Sequence, residues 1–204
     1  MFSLKRIAGF FVLFLVFYGL LMAPWPGVRE AYAAGFRAGG SLLFGSFGAK
    51  DNVRFRPLSG KLAEWDTEII LSNPQTGMTA TIRCWSWRTG FVPTAVLISL
   101  VLATPLSWAR KTRALAWGLL LINGYVALRL ALVLLHPYSP NDPLALFVLS
   151  PLLQKVLTWI YGALNMLPGG TFGFPVLLWI LATFRRSDWR TIFPSRPTPS
   201  EPQA

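Results

Sequence analysis

The sequence is short of charge, of acidic residues above all, and of the residues that bind metals or staple small folds. One cysteine excludes an internal disulfide and a CxxC metal site. One histidine excludes a His-rich zinc cluster. Charged residues make up 13% of the chain, where a soluble domain carries about 25%. Hydrophobic residues make up 53%, and the mean hydropathy is +0.49. An ordinary soluble domain is therefore excluded, and so is disorder over most of the 204 residues. Eight Asp and Glu stand against 19 Lys and Arg, for a net charge of +11. On a soluble chain this balance would point to nucleic acid. On so apolar a chain the expected partner is the lipid bilayer, with no nucleic acid.

What is present is a set of apolar runs flanked by basic residues. Residues 7–23 carry no charge and follow Lys5 and Arg6. The run is longer than a signal-peptide core of about 7–15 residues, so it is read as an uncleaved anchor stopped by Pro24 and Pro26. Residues 91–108 and 114–135 are long enough to span, and Arg110, Lys111 and Arg113 between them mark a helical hairpin. Residues 171–184 are too few to cross alone; extended back to Asn165 they reach span length. Residues 144–167 are apolar but hold Gln154 and Lys155 mid-stretch, with Pro151 interrupting the first third. A lysine at a bilayer centre costs about 2.5–3.5 kcal/mol, so this stretch is expected as an interfacial or re-entrant helix.

Residues 28–47 are mixed and glycine-rich, an interfacial helix at best. Four spans put both termini on the cytoplasmic side, together with every short basic flank, as the positive-inside rule requires. The tail 191–204, rich in proline, is expected to be disordered.

Between the first and second spans the pattern turns to period two. Residues 52–56 alternate polar and apolar, and 66–72 contain Glu68-Ile69-Ile70-Leu71. Residues 78–85 place Met78, Ala80, Ile82 and Cys84 on one face and Thr79, Thr81, Arg83 and Trp85 on the other. Asn73-Pro74-Gln75-Thr76-Gly77 is a turn. The expected fold is thus an α-helical integral membrane protein of about four transmembrane helices, with a small extracytoplasmic antiparallel β-sheet and interfacial helices. Its segments are an anchor (1–23), an extracytoplasmic segment (24–90), a transmembrane hairpin (91–135), an interfacial helix with the last span (136–190), and the tail. Trp65, Trp85 and Trp87 fit an interfacial aromatic belt.

Three residues able to carry chemistry fall on the outer side. Cys84 ends the last strand, Arg129 lies near the outer end of the third span, and His136 lies just beyond it. Arg129 and His136 are nearly two helical turns apart and share a face with Tyr125 and Val133. A cation beside a thiol populates thiolate, a histidine relays a proton, and an arginine holds an oxyanion or carboxylate. The three together would suffice for acyl transfer from a peptide. A buried structural Cys84, a snorkelling Arg129 and a helix-ending His136-Pro137 form the other reading of the same residues. Asp142 is the acidic residue in the nearby outer loop that could pair with Arg129. No cofactor or metal is expected.

The order of Cys84, a span, a basic turn, and a span bearing Asn123 and Arg129 with His136 after it resembles the core of exosortases and archaeosortases. These are polytopic membrane transpeptidases acting on proteins with a C-terminal sorting signal. The resemblance covers roughly residues 80–140. It implies Cys84 as nucleophile, Arg129 as oxyanion or substrate arginine, and His136 as base. The chain departs from that family in Trp85-Ser86 after the cysteine, in the spacing of Asn123 and Arg129, and in having fewer spans. In size and layout it is more similar to the small exosortase-associated membrane proteins, through the stretch Gly90-Phe91-Val92-Pro93-Thr94 running to Ala103-Thr104-Pro105. That likeness implies a non-catalytic accessory component of a sorting system in the cytoplasmic membrane, with an exosortase or its sorting-signal-bearing substrates as partners.

Overall fold

A computed structural model describes residues 4–46, 52–58, 65–135, 150–166 and 172–183. The protein is mostly helical with one small sheet. The order is α1 (Leu4–Met22), α2 (Val28–Phe44), β1 (Val53–Pro57), β2 (Thr67–Ser72), β3 (Thr79–Cys84), α3 (Val92–Ala103), α4 (Trp108–Leu135), α5 (Pro151–Met166) and α6 (Gly173–Thr183). A π-helical turn, Trp87–Phe91, leads into α3.

The sheet is antiparallel in the order β1-β2-β3. Ile69 faces Phe55 on one side and Ile82 on the other. This register puts Val53, Thr67, Ile69 and Leu71 on a buried face, with Ala80, Ile82 and Cys84 packed on the same core. Full burial of an Ile or Leu side chain stabilises by about 1.5–3 kcal/mol, so β2 anchors the sheet. The opposite face carries exposed Arg54, Arg56, Thr81 and Arg83. In the β2–β3 turn, Asn73 Oδ1 accepts the Gln75 amide at 2.9 Å. Gly77 closes the turn at φ 70°, a left-handed conformation that favours glycine.

Helices α1, α3, α4 and α6 pack together, α1 along α3 and α6 against both α3 and α4. The sheet caps this bundle, and one continuous core runs from Ile69 and Leu71 through Leu97 and Val101 to Ile122, Leu134 and Leu178. Among the described residues α4 is the one helix long and apolar enough to cross a membrane; Ile7–Met22, Trp87–Ala103 and Gly173–Thr183 are shorter apolar helices.

Three boundaries differ from the sequence reading. The basic residues Arg110, Lys111 and Arg113 belong to the first turns of α4, not to the linker. Pro105 follows the end of α3, and Lys111 Nζ reaches back 2.7 Å to the Leu102 carbonyl. A cation there complements the negative end of the helix. Pro151 starts α5 instead of interrupting a longer helix. The first helical position tolerates proline because its amide would be unpaired anyway, and Ser150 caps the turn from outside through the Leu153 amide at 3.4 Å. Residues 165–184 do not fall in a single helix: Asn165 and Met166 belong to α5, and α6 begins at Gly173. The eleven residues of α6 rise about 16 Å.

Candidate functional site

Cys84 sits where the sheet meets the bundle. β3 delivers it to the inner face, as its alternation requires, and the chain then turns through Trp85 and Ser86 into the π-helical turn. That turn has a cause in the sequence. Pro93 lacks the amide that would bond the Thr89 carbonyl, and the Val92 amide bonds Trp87 O, five residues back. Thr94 Oγ1 donates to Gly90 O at 2.7 Å. The widened turn carries Thr89 over Cys84, with Sγ and Oγ1 at 3.6 Å.

The strand–helix junction is clamped by Asp66. Its Oδ1 accepts the Ser86 amide at 3.0 Å and the Thr67 hydroxyl at 2.8 Å, and its Oδ2 accepts the Ser86 hydroxyl at 2.9 Å. Arg37 of α2 donates to the Asp66 carbonyl at 3.3 Å. Ser86 is 1% exposed. Tyr32, also on α2, closes the other side. Its ring meets Phe91 edge-on at 5.2 Å, and Phe91 stacks on Trp87 at 3.8 Å. A Cβ on Gly90 would collide with the Tyr32 hydroxyl.

The electrostatics of this junction disfavour a thiolate. Burial pushes the Cys84 thiol up; the Thr89 hydroxyl opposes that, the Asp66 carboxylate adds to it, and the Arg129 guanidinium opposes it. The net direction is upward, so the thiol is protonated at neutral pH. The Tyr32 phenol is pushed up to about 12 by burial, then by Asp66 and Cys84.

Between the sequence candidates the structure gives one weak link: the charge of half-buried Arg129 of α4 acts on the Cys84 thiol as the smallest of four influences, with no hydrogen bond between them. The helical neighbour of Arg129, Tyr125, is buried and stacks on Phe174 of α6 at 3.8 Å. His136 and Asp142 lie outside the described residues. Asp66, Ser86, Thr89 and Tyr32 were not singled out as site residues from sequence. The available signal for Asp66 and Ser86 was their place, one just before β2 and the other just after β3. No group of three or more His, Cys, Asp or Glu side chains converges on a metal position among the described residues.

Beside this junction a groove of about 370 Å³ runs between α2 and α4, lined by Gly35, Gly39 and Gly40 on one wall and by Asn123, Val126 and Leu130 on the other. The chain matches no protein-family model, no curated protein and no solved structure.

Proposed function

We propose that this protein is a multi-pass component of the cytoplasmic membrane, with both termini cytoplasmic, serving as a non-catalytic accessory subunit of an exosortase-type sorting system. The observation that carries the non-catalytic reading is the Cys84 thiol. It is packed on the core, bonded to Thr89 and held protonated by burial, the reverse of the electropositive, accessible setting that activates a nucleophilic cysteine. The membrane reading draws support from the outward faces of the bundle. Phe11, Leu15 and Val16 on α1, Leu120 and Leu128 on α4, and Leu181 on α6 are all more than half exposed, as lipid-facing side chains would be. On α5, Leu152 and Trp159 are exposed at 74% and 77%, which suits a helix lying in the interface. The accessory role itself rests on the resemblance carried by Gly90–Thr94 and Ala103–Pro105.

The charge of Arg129, which opposes the upward shift of the Cys84 thiol, favours a second reading, a compact cysteine transpeptidase. On that reading His136 is the base and the Cys84 thiol is deprotonated when substrate binds. The two readings separate in a cell that encodes an exosortase. An accessory subunit co-purifies with that enzyme from mild detergent and processes no sorting signal alone. Purified protein that cleaves a sorting-signal peptide unaided would replace the accessory role with the enzyme. Reporter fusions after Thr112 and at the C-terminus test the topology: both read cytoplasm for four spans, and an outside C-terminus would refute them.

A further inference from the structure

A cleft of about 260 Å³ lies between α4 and α6, at the end of the bundle away from the sheet. Along α4 its lining passes from Arg110 and Arg113 through Trp117 to Leu121, and the last turn of α6, with Leu181, lines it from the other side. Arg110, Arg113, Trp117 and Leu121 recur every three or four residues, so they form one stripe along about 16 Å of α4. The charged end coincides with the N-terminal turns of α4, where the helix dipole adds positive potential. Lys111 is turned away, its ammonium on the Leu102 carbonyl. Two cations above an interfacial tryptophan and an apolar trough match the order of phosphate, glycerol and acyl chain in a lipid. Basic clefts between helices on the cytoplasmic side are suited to anionic head groups.

We propose that this cleft is a binding site for one anionic phospholipid, its phosphate held by Arg110 and Arg113 and an acyl chain laid along Leu121 and Leu181. The inference rests on the membrane reading and is independent of the sorting role. Its test is lipid retention. The full chain is placed in nanodiscs of equal phosphatidylglycerol and phosphatidylcholine, released gently, and its bound lipid counted by native mass spectrometry. Phosphatidylglycerol should be retained over phosphatidylcholine by roughly 10–30-fold, as two basic contacts near the surface would give.

The double variant Arg110→Gln/Arg113→Gln should bring the ratio close to one. Ala182→Phe narrows the cleft while keeping both cations, and should lose the same retention. Arg54→Gln/Arg83→Gln, on the outer face of the sheet, should change nothing. Equal retention of both lipids by the unmodified chain, or wild-type retention by the double variant, would overturn the proposal. So would displacement of the lipid by millimolar glycerol phosphate, which would make the site one for a small soluble anion. A chain that enters nanodiscs without lipid preference loses the cleft and keeps the membrane reading; a chain that stays out of them loses both.

Discussion

At the sheet–helix junction one carboxylate accepts three hydrogen bonds, and two of them come from a serine twenty residues away. In the bundle several polar side chains turn back on their own helices. Ser99 bonds Ala95 O, Asn123 bonds Leu119 O and Thr183 bonds Trp179 O, while contact between helices is largely apolar. The two regions are thus built on different terms. The junction is specified by a directional polar network, in which a single lost atom leaves partners buried and unsatisfied. The bundle is specified by shape, and most single changes in it cost only volume or one bond.

The largest break in that comparison is Asp66→Ala. It strands the Ser86 amide and hydroxyl inside the junction, and should cost about 2–4 kcal/mol. Thermal unfolding in detergent would register it, together with early proteolysis between β1 and β3. Asp66→Asn keeps an acceptor and should cost less. Next is Gly90→Ala, expected to cost about 1–3 kcal/mol through the clash with Tyr32. Tyr32→Phe removes the clashing oxygen, so the double variant should recover most of the loss. A plain sum of the two effects would mean that they do not touch.

Tyr32 also gives the junction a pH signature. Its folded pKa is raised above 10.0 to about 12, so its protonated form favours the fold. That contribution is fully present below about pH 10 and is lost as pH rises toward 12. The stability difference between wild type and Tyr32→Phe should change across that window and stay flat from pH 6 to 9. The smallest effect belongs to the bundle. Trp179 Nε1 donates to Thr104 Oγ1 at 2.8 Å across two elements, and Thr104→Val should cost about 1 kcal/mol.

How far each region was legible follows from the same contrast. The strands and their turn were readable because alternation at 78–85 and the Asn73-to-Gly77 turn are local signals. The register places Cys84 on the face that this alternation predicts. The clamp was not readable, because Asp66 and Ser86 are joined by tertiary approach and leave no periodic trace. Chain order led to the expectation that Cys84 and Arg129 lie on one side, and the structure shows the Arg129 charge only as the weakest influence on the thiol; the setting that keeps the thiol protonated needed Thr89 and Asp66, which only the folded junction brings close. In the bundle, composition misplaced boundaries. Charged residues at 110–113 read as linker although long basic side chains sit readily in the end turns of an apolar helix. Pro151 read as an interruption where it is a start.

The central claim, that Cys84 is a structural thiol in an accessory protein, is tested most directly by replacing one atom. In a strain carrying Cys84→Ser at normal abundance, maturation of a protein bearing the sorting signal is followed by the shift of its band. The account predicts maturation at the wild-type rate, since serine fills nearly the same space and can keep a hydrogen bond to Thr89. Abolished maturation with the protein still present at wild-type level would contradict it and assign the chemistry to Cys84.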